Sequence, residues 1–279
     1  MGLTVNTNTP AIQAYQNLEN SQMAENTDIN QLSSGFKINN ASDNAAGYVI
    51  SQELQSQVNG LAQANNNAQT GISLVQTAEG ALNETESILQ SVRALTLQAA
   101  NSTTDSTGLA AIQAQVDQSV QQIDQIATST QYGNLMVFGS GTTAAAFTFQ
   151  VGAYGASADQ ITFSIAGANS AALGLTGIDS FFGASGFSTA MISVIDAAIS
   201  SVSAMQGALG AYQNRLQDTI NNLNVGTQNL SAAESTIKDT DMAATYSDYT
   251  KRQILVQTGT AMLSQANSIP QSVLRLMGI

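Results

Sequence analysis

The stretch from Ile195 to Ile237 reads IDAAISSVSAMQGALGAYQNRLQDTINNLNVGTQNLSAAESTI, and its apolar residues recur at a fixed spacing. Every seventh position carries a branched aliphatic residue: Ile195, Val202, Leu209, Leu216, Leu223, Leu230 and Ile237. A seven-residue apolar repeat of this length is typical of a helix that packs along partner helices, as in a left-handed coiled coil. Globular helices seldom exceed about 25 residues, so the repeat favours a long helical rod over an ordinary buried helix.

A second heptad column predicts another long helix, from about residue 43 to residue 100. Its members are Leu54, Leu61, Ala68, Val75, Leu82, Leu89 and Thr96. A Ser- and Thr-rich break at 101–108 precedes a shorter helix, about 109–129, which we expect to fold back on the long one. The two columns predict a rod core made of Leu54, Leu61, Val75, Leu82, Leu89, Val202, Leu209, Leu216, Leu223 and Leu230.

Each end of the chain carries a further amphipathic helix. Apolar residues recur at helical spacing over about 9–32 and again over about 241–268, which predicts two terminal helices. Neither helix buries much by itself, so we expect the two to pair. The chain ends on unusually apolar residues, which indicates a partner surface rather than a solvated terminus.

Local signals place the ends of these helices. Thr9 suits the cap of the first helix, with proline following at the first helical position. Gly35 suits a left-handed helix end. Ser42 or Asp43 suits the cap of the second helix, and Asp241 the cap of the last.

The pattern changes from helical to alternating in the middle of the chain. Phe147–Val151 and Ile161–Ile165 each alternate apolar and polar residues, with a Gly-, Ala- and Ser-rich turn between them. Such a pair predicts a β-hairpin lying on a helical surface. The Gly-, Ala- and Ser-rich segment 166–187 predicts a loop or a short irregular cap. The predicted fold is mainly α, a long coiled-coil-like helical rod with a small β-hairpin and paired N- and C-terminal helices.

Composition excludes several functions. The 279 residues are 43% hydrophobic and only 9% charged, with a net charge of −12 that argues against nucleic acid and anionic membranes as partners. The absence of His and Cys removes the commonest general base and most zinc sites, so we expect no cofactor, no metal and no enzymatic activity. No stretch suggests a cleaved signal or a membrane span, and these rules alone predict a cytoplasmic protein.

Charged residues that could form a site have plainer interpretations. Glu79, Glu84 and Glu86 are close in sequence, but a solvated helix face explains them better than a catalytic pair. Asp239 and Asp241 provide too few ligands for calcium, and capping explains them better. We expect Arg215 to be a surface or inter-subunit ion-pair partner.

Several longer motifs carry a resemblance to a known family. The run LSSGFKIN at 32–39 with DNAAG at 43–47, and the run GISLVQTAEGALNE at 71–84, resemble the N-terminal signature of bacterial flagellins. The C-terminal half resembles the same family at LGAYQNRL, 209–216, and at AMLSQAN, 261–267. The likeness covers both ends in order, about 220 residues in all.

The resemblance implies a structural subunit that self-assembles into the flagellar filament used for swimming. It implies an inner core from 1–42 and 238–279, a rod domain from 43–140 and 188–237, and a hairpin with a short cap at 141–187. Only 166–187 are left for outer domains, so we expect a minimal flagellin. The implied subunit-interface residues are Ile12, Leu18, Ile29, Leu32, Ile254, Leu255, Met262, Leu263, Ile269 and Leu274.

The resemblance also implies partners and a location, and it overrides the cytoplasmic prediction. Flagellins are exported through the flagellar channel without a cleaved signal peptide, and reside in the extracellular filament. The implied partners are other copies of the chain, an export chaperone, the filament cap and the junction proteins. An innate immune receptor is a further implied partner, with Gln90, Arg93 and Leu95 at the corresponding stretch.

Departures from the family pattern predict weak or absent receptor activation. Ser91 and Ala94 stand where many flagellins have an arginine and a glutamate, and Gln115 where a glutamate is common. Two alternative functions remain open at this point. One is a hook–filament junction protein, which shares the terminal architecture, and the other is a coiled-coil secreted adhesin or effector.

Overall fold

The computed structural model describes residues 7–101, 104–141, 143–176, 182–183, 186–187 and 190–276; residues 182–183, 186–187 and 270–276 are described by backbone only. The described elements confirm a mainly α fold with small antiparallel hairpins. The helices are α1 Thr9–Ser34, α2 Ala45–Ala99, α3 Ser106–Ser129, α4 Ala190–Lys238 and α5 Met242–Leu276. The strands are β1 Gln131–Tyr132, β2 Leu135–Met136, β3 Ala145–Gln150, β4 Gln160–Ile165, β5 Phe182–Gly183 and β6 Gly186–Phe187.

The chain forms two compact units. The terminal unit comprises residues 1–57 and 229–279, and the central unit comprises residues 58–228. The terminal unit holds α1, α5 and the adjoining ends of α2 and α4, and the central unit holds the rest of α2 and α4 with α3 and the hairpins.

The caps of the first two helices differ from the prediction by one residue. Asn8, not Thr9, caps α1, because its side-chain oxygen accepts from the backbone N–H of Ala11 at 3.2 Å. Asn44 caps α2 by accepting from the N–H of Gly47 at 2.9 Å. The predicted candidate Asp43 instead accepts from two backbone N–H groups of the preceding loop, which closes that loop against the helix start.

Two other predicted helix boundaries are confirmed. Gly35 ends α1 in the left-handed region at φ 74°, where a residue with a side chain would be strained. Asp241 caps α5 by accepting from the N–H groups of Ala243 and Ala244. The prediction that α5 stops near Ser268 is wrong: the helix continues to Leu276, across Pro270, where one backbone hydrogen bond is lost.

The two terminal helices pair within the terminal unit, as predicted. They run antiparallel, since Asn8 donates to the carbonyl of Ala266 at 2.9 Å and Leu18 lies against Gly259 further along. Gly259 allows this approach, because an added Cβ there would lie 3.3 Å from a methyl group of Leu18. Further along the same helix pair, Asp28 of α1 and Arg252 of α5 form an ion pair, with 2.6 Å between Oδ2 and Nε.

The segments that lead into α2 and out of α4 are joined to each other. The N–H of Lys37 donates to the carbonyl of Lys238 at 2.6 Å, and the N–H of Thr240 donates to that of Gly35 at 3.0 Å. The ammonium of Lys238 lies 4.5 Å from the ring centroid of Phe36. These contacts hold the entry and exit of the terminal helix pair side by side.

The core of the central unit is built from the heptad columns of α2 and α4 together with α3 and the main hairpin. The structure buries Val75, Leu82, Leu89, Val202, Leu209, Leu216 and Leu223 of the predicted rod core. Leu54, Leu61 and Leu230 are half-buried. Seven-residue spacing therefore identified a stripe that is enclosed along the middle of α2 and α4 and becomes less so towards their ends.

The predicted β-hairpin is confirmed and lies on α2 and α4. Strands β3 and β4 pair antiparallel, with Phe147 opposite Phe163. The ring of Phe163 stacks on Tyr212 of α4 at a centroid distance of 4.9 Å, and Asn67 of α2 donates to the carbonyl of Gln150 at 3.0 Å. Gly71 of α2 leaves room for the hairpin, because a Cβ there would lie within 3.4 Å of the Phe149 ring.

Two small features beside the main hairpin have no clear periodic pattern in the sequence. Strands β1 and β2, each two residues long, pair in a tight hairpin that turns at Gly133, whose φ is 63°. Residues 166–176 of the predicted cap are fixed to α3, because Asp124 accepts from both the N–H and the hydroxyl of Ser170. Further along the predicted cap, the short strands β5 and β6 pair antiparallel, where the sequence predicted only loop or irregular structure.

Helix α4 corrects one expectation about membranes. By length and composition it is long and apolar enough to cross a bilayer, since one 18-residue window has a mean hydropathy of 1.3. The structure buries 22% of that window. A long core helix passes the same test, and the apolar column of α4 lies in the core of the central unit.

Candidate subunit-packing surface

Exposed apolar side chains are concentrated in the terminal unit. Of the large apolar side chains that are exposed in the described part of the chain, five belong to the central unit: Leu97, Leu135, Met136, Tyr154 and Val225. The others belong to the terminal unit: Ile12, Tyr15, Met23, Ile29, Val49, Ile50, Met242, Tyr246, Ile254, Leu255, Met262 and Ile269. Apolar surface on this scale marks a contact surface for other molecules.

A two-helix pair cannot enclose these side chains. The buried apolar residues described in the terminal unit are Ala11, Leu18, Ile38 and Ala266. Each helix buries one face on its partner and leaves its other faces in solvent, although apolar residues occupy them. The terminal unit therefore has more apolar surface than it can cover by itself.

The predicted subunit-interface residues lie mostly on this open surface. The exposed ones are Ile12, Ile29, Ile254, Leu255, Met262 and Ile269. Leu32 and Leu263 are half-buried, and Leu18 is buried against α5 of the same chain, so its contact is internal. The side chain of Leu274 lies outside the described residues.

Among the described residues of the terminal unit, six exposed large apolar side chains are missing from the predicted interface set. These are Tyr15, Met23, Val49, Ile50, Met242 and Tyr246. A signal existed for Val49 and Ile50, because adjacent apolar residues on a helix cannot both face the same partner. For Met23 the apolar stripe of α1 is discontinuous, so spacing alone does not assign it to a face.

The stretch predicted to meet an immune receptor forms bonds within the chain. Gln90 donates to Glu86 at 3.2 Å, and Leu95 packs partly buried against the core of the central unit. Arg93 Nε lies 2.6 Å from Asp196 Oδ1, with both side chains nearly half exposed. The hydrogen bond to Asp196, together with the charge of that carboxylate, raises the pKa of Arg93 above its ordinary value.

Of the acidic residues predicted to cap, Asp241 does so, whereas Asp239 makes a side-chain contact instead. Asp241 caps α5, and Asp239 accepts from the hydroxyl of Ser235 at 2.6 Å. The described residues contain no group of three or more His, Cys, Asp or Glu side chains that could hold a metal ion. Arg215 is exposed beside Asp218 and forms no ion pair with another described residue.

Paired terminal helices with open apolar faces, attached to a heptad-packed helical unit, define a class of protein: a structural subunit that assembles with its own copies. Comparisons with known proteins give the family. Residues 5–143 match the bacterial flagellin N-terminal helical region, and residues 192–277 match the bacterial flagellin C-terminal helical region.

Two relatives match over nearly the whole chain. One is the "Flagellar filament 33 kDa core protein" of Treponema phagedenis, 40% identical over 99% of this chain and 100% of that protein. The other is "Flagellin" of Bacillus subtilis strain 168, 39% identical over 99% of this chain and 100% of that protein. A crystal structure of Bacillus cereus flagellin aligns at a TM-score of 0.45 and 24% identity, over 61% of this chain and 94% of that one.

This chain therefore belongs to the bacterial flagellin family. It is a structural subunit of the flagellar filament, and the filament forms by self-polymerisation of such subunits.

Proposed function

We propose that the terminal unit makes the inner contacts of the filament, and that its exposed apolar residues pack against neighbouring copies. In this assignment residues 1–42 and 238–279 form an inner core, residues 43–140 and 188–237 a surrounding rod domain, and residues 141–187 the hairpin with its cap. The observation that carries it is the concentration of exposed apolar side chains on α1 and α5.

Burial of these side chains supplies a driving force for assembly. Covering a large aliphatic side chain fully contributes about 1.5–3 kcal/mol, so covering the exposed half contributes about 1 kcal/mol. With only 9% of residues charged, few charges are desolvated when copies pack. The net charge of −12 opposes association at long range, so we expect salt to promote assembly by screening this repulsion.

Replacing Ile254 by aspartate tests the proposal. The side chain is 56% exposed, so the monomer keeps its fold, while the filament contact loses apolar burial and gains a charge to desolvate. We expect the critical concentration for seeded polymerisation to rise by about 100-fold or more. The measurement is the mass of pelleted polymer against subunit concentration.

Gln253→Asp is the matched control, because it adds the same charge at the adjacent exposed position without removing an apolar side chain. We expect it to polymerise within about threefold of the wild type. Normal polymerisation of Ile254→Asp would show that this face of α5 is not a filament contact. A defect of equal size in both variants would mean that charge alone causes it.

We further propose that the chain is exported through the flagellar channel without a cleaved signal peptide, resides in the extracellular filament and has no enzymatic activity. A chain without Cys has no disulfide to form or break on the way, and a terminal unit with few buried residues opens at low cost. We assign an export chaperone to α5, and the filament cap and junction proteins to the ends of the polymer. We propose neither nucleic acid nor a membrane as a partner.

A weak response from the innate immune receptor is a separate expectation. Ser91, Ala94 and Gln115 are all exposed, so introducing the family's arginine and two glutamates there leaves the core intact. We expect the variant S91R/A94E/Q115E to activate a reporter cell line about tenfold more strongly than the wild type. Ser87→Arg, one turn earlier on α2, is the control for added positive charge. A wild-type response as strong as that to an enteric flagellin would contradict this expectation.

A further inference from the structure

One side of the terminal helix pair forms a groove. It has a volume of about 380 Å³ and lies between α1 and α5, with Pro10, Ala14, Leu18, Leu255, Gly259 and Met262 among its lining residues. None of the described residues that line it is charged. Leu255 and Met262 are seven residues apart and are 47% and 58% exposed, so they present an open apolar wall at heptad spacing.

The far side of α1 carries an apolar stripe. At 3.6 residues per turn, Ile12, Tyr15 and Met23 fall within about 80° of one another. The same geometry places this stripe about 180° from the side of α1 that lines the groove. All three side chains are more than half exposed, and Glu19 is exposed on the same line between Tyr15 and Met23.

The groove wall and the stripe also carry charged residues of opposite sign at corresponding positions. Lys251 is exposed one turn before Leu255, on the side of α5 that lines the groove, and it forms no ion pair with another described residue. On the stripe, Glu19 lies four residues from Tyr15, just as Lys251 lies four residues from Leu255 on the groove wall. An antiparallel alignment of stripe and wall therefore places Glu19 opposite Lys251 and Tyr15 opposite Leu255.

We propose that the stripe of one copy docks into the groove of the next copy, with an ion pair between Glu19 of one and Lys251 of the other. This inference rests on the proposed function and specifies which surfaces meet. The occupant is a helix in an apolar groove, a common mode of recognition. Because the two surfaces differ, the contact is head-to-tail, and such contacts build open helical polymers when they do not close into rings.

The orientation of the docked helix is the one that a polar polymer needs. Within one chain α1 runs antiparallel to α5, with Leu18 level with Gly259 and Asp28 level with Arg252. A docked stripe that is also antiparallel to α5 is parallel to the α1 of the receiving copy. All copies then point the same way, each shifted by about nine residues of helix, roughly 14 Å. Glu19 and Lys251 of one chain are separated along the helices by about the same distance, so they do not form an ion pair within the chain.

Charge reversal tests the pairing in the full-length chain. We expect Glu19→Lys and Lys251→Glu each to raise the critical concentration for seeded polymerisation about tenfold or more at low ionic strength. We expect the double variant, which restores opposite charges, to return towards the wild type. An equimolar mixture of the two single variants also brings opposite charges together, because the position-19 lysine of one variant can meet the position-251 glutamate of the other. We therefore expect the mixture to copolymerise.

Glu84→Lys is the matched control for Glu19→Lys, since it makes the same change of net charge at an exposed position of the central unit. We expect it to assemble like the wild type. If the mixture and the double variant stay as defective as the single variants, the two residues do not meet across copies and the pairing is wrong. Wild-type assembly of Lys251→Glu would show that no other copy fills the groove. Either result leaves the proposed function standing if Ile254→Asp blocks assembly, whereas normal assembly of Ile254→Asp as well would overturn both.

Discussion

Leu216→Pro will unfold much of the helical core of the central unit. Leu216 is fully buried, and its side chain reaches within 3.2 Å of the position of a Cβ on Gly71 of α2. Proline in a helix interior costs about 3 kcal/mol or more, and losing a buried leucine side chain costs about 2–5 kcal/mol. The sum approaches the whole stability of a typical domain, about 5–15 kcal/mol. The measurement is helicity by circular dichroism during thermal and denaturant unfolding.

Two control variants separate the causes. Gln217→Pro breaks the same helix at an exposed neighbour, so we expect only the backbone cost of about 3 kcal/mol. Leu216→Ala keeps the helix and removes the core contact, so we expect about 2–5 kcal/mol. Unchanged helicity and melting of Leu216→Pro would show that the heptad column of α4 does not hold the core together.

Phe163→Ala will detach the main hairpin from the helices. Phe163 is 3% exposed, and its ring lies 4.9 Å from that of Tyr212 and 5.7 Å from that of Phe149, measured between centroids. Truncating a buried phenylalanine costs about 3–5 kcal/mol. We expect that loss in the free energy of unfolding, together with faster amide hydrogen exchange over β3 and β4 than over α2.

Thr162→Ala is the control on the same strand, because its side chain faces solvent. We expect its effect on the free energy of unfolding to stay within about 0.5 kcal/mol. A loss below about 1 kcal/mol for Phe163→Ala would contradict the account, since it would mean that the aromatic cluster does not fasten the hairpin.

Periodicity identified the elements that have an enclosed apolar side. The heptad columns of α2 and α4 and the alternating strands β3 and β4 each pack against a partner, so their patterns reflect burial. Strands β1 and β2 are two residues long, which is too short for an alternation to be read. Helix ends depend on single hydrogen bonds, so neighbouring polar residues such as Asp43 and Asn44 cannot be ranked from sequence.

The contact surface was less accessible to sequence reasoning. Apolar residues on α1 and α5 face either the partner helix or the outside, and the sequence does not distinguish the two. Leu18 was assigned to the subunit interface but is buried against α5, whereas Tyr15 and Met23 were left out although they are exposed. The groove is lined by both helices, so its place depends on the register of the antiparallel pair, which the sequence does not give.

Electron microscopy of the full-length chain beside a chain trimmed to residues 45–240, after seeding or addition of a precipitating salt, tests the central claim most directly. The trimmed chain keeps the central unit with its core and removes α1 and α5. We expect filaments from the full chain and none from the trimmed chain, because the exposed apolar faces of the terminal helices make the inner contacts. Filaments from the trimmed chain would contradict the account, since assembly would not depend on those helices.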